Sequence, residues 1–253
     1  MKGLEFITGE AALKLGRVLV VADLHIGVEH QYRKEGLTLP SQSGKLMDRL
    51  EALIKRTRAK RLVVLGDVKH RVPGASFQEE REIPAFFRRL LERVEVDVTP
   101  GNHDGGIGKL LPPGVVVHPS GGFMLGKTWL CHGHAWPGEG FLKAGEVVVG
   151  HNHAGIEFRD KLGYRWLEPV GIRAGLVREK IEERYGKAGG GLPGLVIMPF
   201  FNGFAGMVPV NRKPEEIAGL YSEGPGPLFR SMEREKARVY MLDGTLLGEL
   251  GKL

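Results

Sequence analysis

Five times in its first 153 residues the chain places Asp, His or Asn directly after a short apolar run rich in β-branched residues. The sets are Asp23-Leu24-His25, Gly66-Asp67, Gly101-Asn102-His103-Asp104, His132-Gly133 and Gly150-His151-Asn152-His153. Strand ends that carry such side chains repeatedly build one polar site at one edge of a sheet. The fold must therefore gather several strands with their ends in line.

The runs between these sets support that arrangement. Residues 17–22, 61–65 and 94–98 read as buried strands, being apolar without alternation. Leu46, Met47, Leu50, Leu53 and Ile54 form a stripe at helical spacing, with Ser41 or Ser43 as the expected cap. Ile83, Phe86, Phe87, Leu90 and Leu91 form another. The first hundred residues thus read β-α-β-α-β, which favours a largely parallel sheet. Afterwards strands dominate: a hairpin over 123–131 turning at Gly126-Lys127, a buried strand at 146–149, and strands flanking a turn at 160–163. Further strands are expected at 194–198 and over 237–250, the latter with a turn at Asp243-Gly244. The expected fold is a mixed α/β domain over residues 1–253, with two packed sheets and helices outside. Segments 178–194 and 211–230, rich in charge, Gly or Pro, are expected as surface excursions bordering the site.

At 253 residues the chain can bury a substantial core. No apolar run approaches the roughly 18 residues needed to span a membrane, and the N-terminus lacks the apolar stretch of a signal peptide. A cytoplasmic location is expected. Cys131, the single cysteine, cannot form an internal disulfide, which agrees with a reducing compartment. The net charge of +6 is compatible with a polyanionic substrate such as nucleic acid, and equally with an ordinary solvated surface. Scarce Asn and Gln beside abundant Arg, Lys and Glu lean toward a thermophile. Asn102 and Asn152 stand out against that scarcity.

Asp23 and His25, two residues apart at a strand end, point to one side and can reach one metal. Asp67 has two carboxylate oxygens and can bridge two ions. Asn102 offers a carbonyl oxygen, and His132, His151 and His153 offer imidazole nitrogens. Such an O/N set without thiolate suits Mn, Fe, Zn or Ni rather than a structural zinc. Two ions about 3.5–4 Å apart would activate a bridging water and clamp a phosphate. Each set alone is weak; five in this order are specific. His134 is expected to support the ligands, and His30 and His118 to lie on the surface or in loops.

The order D-x-H, GD, GNH-[DE], H, GH-x-H, complete between residues 17 and 154, resembles the calcineurin-like metallophosphoesterases. The resemblance implies a four-layer αββα sandwich with the site at the strand ends. It implies one metal on Asp23, His25, Asp67 and His153, and a second on Asp67, Asn102, His132 and His151. It gives His103 the catalytic role, stabilising the phosphorane or protonating the leaving group, with Asp104 holding the imidazole by a hydrogen bond. His70, in Gly66-Asp67-Val68-Lys69-His70, resembles the DNA-repair nuclease branch that includes the SbcD exonuclease, where this histidine positions the phosphodiester. Lys69 would add a phosphate contact. Pro199-Phe200-Phe201-Asn202-Gly203 resembles the SbcD-related small phosphoesterases, largely archaeal. The capping and partner-binding regions of the repair nucleases have no counterpart here, so an obligatory ATPase partner is not expected.

Among basic residues, those from Arg56 to Arg61 and from Arg88 to Arg93 suit solvated helix surfaces. Arg159, Lys161, Arg165, Arg173, Arg178, Lys180, Arg184 and Lys187 could line a cleft. Tyr164, Trp166 and Tyr185 either stack bases or cover a sheet, and the second is favoured. The expectation is a dinuclear phosphodiesterase or nuclease with manganese foremost, working through a metal-bridging hydroxide. The rivals are a phosphomonoesterase acting on nucleotides or phosphoproteins, and a non-catalytic scaffold. Oligomeric state is open.

Overall fold

The computed structural model describes residues 3–213, 215–216 and 224–253. Its first sheet runs in the order β1 (Leu4–Phe6), β2 (Leu13–Leu15), β3 (Val18–Ala22), β4 (Arg61–Leu65), β5 (Glu95–Thr99) and β6 (Val115–Val117). β3 to β6 are parallel, as the alternating strands and helices require. β1 and β2 add an antiparallel edge. Between β3 and β4 lie α1 (Glu29–Lys34) and α2 (Ser43–Thr57); α3 (Phe77–Leu91) joins β4 to β5.

The second sheet is mixed. Its path starts with the hairpin β7 (Phe123–Leu125) and β8 (Thr128–Leu130), then β9 (Glu146–Val149), which is parallel to β8. A long hairpin follows, β10 (Ala154–Arg159) and β11 (Arg165–Ala174). After α4 (Arg178–Tyr185), β12 (Gly194–Ile197) inserts between β11 and β9. β13 (Val208–Pro209) pairs with β10, and the hairpin β14 (Arg238–Met241) and β15 (Leu246–Glu249) pairs with β11.

Side chains along the strands point alternately to the two faces and create three cores. Leu19, Val21, Leu62, Val64, Val96 and Val98 face α2 and α3, whose Leu50, Leu53, Ile83 and Phe87 fill the outer layer. Val20, Ala22, Val63 and Leu65 point the other way, against Leu130, Val148, Val196 and Met198 of the second sheet. The second sheet's outer face, including Val147, Val149 and Ile172, packs under Ile181 of α4 and under Leu228 and Phe229. The result is the four-layer αββα sandwich, with strands buried on both faces because each sheet has a layer on either side.

Several expectations need correction. α2 is capped at Gln42 without a side-chain bond; Ser41 instead bonds Ser43 and Glu82, so neither serine is the cap. α3 carries a capping box between Ser76 and Glu79. The 178–194 segment is not purely a surface excursion, because Ile181 is fully buried. In 211–230, Pro227, Leu228 and Phe229 are also buried; residues 214 and 217–223 of that segment lie outside the described residues. His118 lies in the loop after β6, as expected, and is half-buried there. Its ring stacks on Phe123 with centroids 3.6 Å apart, and its Nε2 lies 2.6 Å from Asp97.

Asp97 sits in the middle of β5 and also receives the guanidinium of Arg61 from β4. Burial raises its carboxyl's pKa, but the hydrogen bonds and charges of Arg61 and His118 outweigh that and hold it below the ordinary carboxylate range. A carboxyl held low in the fold contributes stability that is present above its unfolded value and lost as pH falls through its folded value. Asp97→Asn is therefore expected to cost about 1–3 kcal/mol at pH 7. Urea titrations at a series of pH values should show the gap between wild type and variant closing only below about pH 3.9.

Candidate metal centre

The polar residues sit where the parallel strands stop, and their backbone is unusual. Asp23, His25, Asp67, His151 and His153 have φ of 60°, 40°, 50°, 65° and 42°. Among described non-glycine residues only Arg58, at the end of α2, shares that sign. A left-handed conformation costs an L-residue on the order of 1 kcal/mol. Neighbouring turns tie it down: Asp23 N–H donates to Gly66 O at 3.1 Å and His25 N–H to Asp67 O at 2.7 Å. Two glycines give the side chains room. A Cβ on Gly66, itself at φ 70°, would lie 2.4 Å from the His132 ring, and one on Gly101 would lie 2.2 Å from Asp67 Oδ1.

These turns bring all seven expected ligands together. Asp23, His25, Asp67 and His153 have ligand atoms mutually within 4.8 Å, and so do Asp67, His132 and His151. Asn102 Oδ1 lies 3.1 Å from His132 Nε2, which places it in the second group. Asp67 belongs to both. Its Oδ1 accepts the His103 N–H at 3.0 Å, while Oδ2 lies 3.4 Å from His25 Nε2 and 3.4 Å from His132 Nε2. His25 Nε2 and His153 Nε2 are 3.2 Å apart. Buried carboxylates and crowded imidazole nitrogens converging in this way form two oxygen-and-nitrogen donor sets that suit divalent cations.

Main-chain carbonyls set the ring orientations. His132 Nδ1 faces Leu65 O at 2.8 Å, His153 Nδ1 faces Gly206 O at 3.2 Å, and His103 Nδ1 faces His70 O. A carbonyl only accepts, so each of these Nδ1 atoms carries the hydrogen and leaves Nε2 for the site.

The electrostatics are sharply divided. Burial pushes the Asp67 carboxyl up, but His132, His25 and His103 outweigh it and hold the group well below the usual range. Burial works against the charged form of His132 too, yet Asp67 and Asp23 lift it to about 10. His153 is likewise raised, burial being outweighed by Asp23 and Asp67. His25 is held well down by burial despite Asp67. Burial, with the His132 charge, lowers His151 and His134 to about 4. His134 contacts the His132 and His151 rings, and among the described residues its buried Nδ1 has no hydrogen-bond partner.

Around the ligands the expectations divide. His103 and His70 line a cavity of about 440 Å³ together with His25, Asn102 and His151. His103 Nε2 lies 4.0 Å from Asp67 Oδ2. His70 Nδ1 lies 3.2 Å from His25 Nδ1, its Nε2 lies 2.8 Å from Gln31 Oε1, and burial lowers its pKa to about 4. Asp104 does not hold the His103 ring. Its oxygens accept the Gly101 and Lys69 backbone N–H groups at 2.8 and 3.2 Å, and His103 turns to the His70 carbonyl instead. Burial, with the Asp67 charge, raises the Asp104 carboxyl. Lys69 cannot offer a phosphate contact: it is 1% exposed, and its Nζ donates to Arg71 O. Asn152 is buried and donates to Gly150 O, shaping the turn between His151 and His153.

No residue of 159–187 lines the cavity. Arg173 pairs with Glu146, and Arg178 with Glu182. Tyr164 and Trp166 stack near the exposed tip of the β10–β11 hairpin, while Tyr185 packs on Phe141 and Trp136. Two site-forming groups escaped sequence reasoning, Gln31 and Asn202. Asn202 Nδ2 donates to Leu24 O at 2.8 Å, and Phe200 stacks on His153. The Pro199–Gly203 run was the available signal. Of the two excursions only 211–230 borders the cavity, through Gly224.

No curated protein sequence is significantly similar to the chain. The Pseudomonas putida nuclease MPE is similar in structure at 17% identity, with a TM-score of 0.56 over 97% of this chain and 94% of that one. YfcE, a phosphoesterase from E. coli, overlaps 56% of this chain and 73% of its own at 19% identity and a TM-score of 0.36. The first of these likenesses is one of fold. Among the described residues no helix is long and apolar enough to cross a membrane. The calcineurin-like phosphoesterase family model matches residues 16–179, more than half of the chain and all five polar sets, and the chain belongs to that family.

Proposed function

We propose that the chain is a dinuclear metal-dependent phosphodiesterase with nuclease-like activity. The observation that carries this reading is the Asp67 carboxylate, shared by two donor groups. One divalent ion is assigned to Asp23, His25, Asp67 and His153, the other to Asp67, Asn102, His132 and His151. Divalent ions bound there supply Lewis acidity and activate water toward phosphorus. Manganese is the first candidate, with iron, zinc and nickel suited to the same donors.

The chain's own groups do the rest. His103 Nδ1 faces the His70 carbonyl, which turns Nε2 toward the site; in its imidazolium form that nitrogen would hydrogen-bond a phosphoryl oxygen or hand a proton to the departing alkoxide. Asp104 acts at one remove, fixing the turn of residues 101–104 through Gly101 and Lys69. His70 is neutral at pH 7 and works as a hydrogen-bonding group beside the scissile diester, held by Gln31. A phosphate ester is the substrate, and nucleic acid is the class proposed. The fold shared with a nuclease and the His70 position support that choice.

The metal-stripped protein, resupplied with Mn²⁺, is expected to hydrolyse bis-p-nitrophenyl phosphate and labelled single-stranded DNA faster than p-nitrophenyl phosphate. Monoester turnover alone would move it to a phosphatase reading. Asp67→Asn should lower diester turnover on the order of a thousandfold; near-normal rates would sink the bridging assignment. His103→Ala should retain both metals by elemental analysis and lose about 10²–10⁴ in kcat. His70→Ala should harm diester cleavage more than monoester cleavage, and equal loss would remove its special role. Gly101→Ala, which drives a methyl into Asp67, is expected to fold and yet bind less than one full complement of manganese.

A further inference from the structure

Beside the catalytic cavity lies a second, larger one of about 820 Å³. Two pairs of consecutive residues form the partition. His70 lines the catalytic side and Arg71 the other; Gln31 lines the catalytic side and His30 the other. The two depressions are therefore neighbours along the chain at two places, beside the residue assigned to the diester.

The second cavity is cationic and has an exposed aromatic ring. Arg33, Arg71 and Arg81 line it, all three exposed. Among the described residues, neither Arg33 nor Arg71 has a carboxylate within ion-pair distance, and Arg81 has only Glu82 at 3.3 Å. Glu82 is already occupied by Ser41 at 2.8 Å and Gln78 at 3.2 Å. Glu79, close by, is buried, and its oxygens accept the N–H groups of His70, Arg71 and Ser76. The cavity thus keeps a positive excess. Phe77 opens α3 on its rim with 79% of its surface exposed, an unusual place for a phenyl ring in a chain with a well-filled core.

Guanidinium groups bind phosphate in a fork, and an exposed ring gives an unpaired base a stacking surface. A small phosphate ester held at the donor groups makes no use of the neighbour. A polynucleotide continues past the scissile phosphodiester and needs both. We propose, on the footing of the phosphodiesterase reading, that this second cavity holds the flanking nucleotide of a single-stranded nucleic acid. Its phosphate lies against Arg33, Arg71 and Arg81, and its base against Phe77. Cleavage specificity for strands over small diesters then resides here rather than at the metals.

The test compares kcat/KM of the Mn²⁺-loaded protein on a labelled single-stranded oligonucleotide and on bis-p-nitrophenyl phosphate. The variants are Arg33→Ala/Arg81→Ala and Phe77→Ala, with Arg88→Ala outside the cavity as the control. The oligonucleotide-to-diester ratio is expected to fall about tenfold or more in the arginine pair and about five- to a hundredfold in Phe77→Ala. The salt dependence of oligonucleotide cleavage should also flatten, by about 0.7 in log–log slope for each phosphate contact removed. An unchanged ratio overturns the proposal, and so does a loss shared equally by both substrates. Wild-type protein that turns over the small diester and ignores the oligonucleotide overturns this proposal alone. Protein silent on both removes the phosphodiesterase reading, and oligonucleotide binding by fluorescence anisotropy then decides the cavity: equal affinity in wild type and variants overturns it.

Discussion

A buried carboxylate that belongs to two donor groups at once is the constraint on which this structure turns. Asp67 is 2% exposed, and an isolated charge so placed would be costly without partners on every side. Its partners come from both sheets: His25 follows β3, His103 follows β5, and His132 follows β8. They meet only if the sheets pack face to face with their strand ends in line. The inner core of Val20, Val63, Val148 and Val196 enforces that alignment. Gly66 and Gly101 are the price of closeness, since a methyl at either would strike the site.

This site was legible in sequence because its geometry is local. Strand, tight turn and donor side chain recur within a few residues, so the donor set can be picked out without knowing which strands pair. The long buried strands and both amphipathic helices were legible for the same reason: five core positions of α2 are buried as their spacing demands. Three-residue strands such as β1, β2 and β6 carry too little pattern to stand out, and only pairing with a neighbour makes them strands.

What sequence reasoning missed depends on partners distant in the chain. Asp104 is adjacent to His103, and adjacency suggested a bond between them. In the fold Asp104 turns inward to two backbone amides, because a buried carboxylate finds more donors there than one imidazole provides. Lys69 is beside His70 and still points away, consecutive residues after a strand facing opposite ways. His118 is a loop histidine, as its position suggests, but its contact with Asp97, which Arg61 also holds, joins segments distant in the chain and is invisible locally. The basic run 159–187 looked like a cleft wall, but its residues are spread over a hairpin tip and α4.

The carbonyl groups behind His132, His153 and His103 carry a consequence for divergence. An oxygen of the main chain is supplied by whatever residue stands at positions 65, 206 and 70. Orientation of these three rings is thereby insulated from side-chain drift at the positions that orient them. A lineage can rewrite most of its packing while the rings keep presenting the same nitrogen.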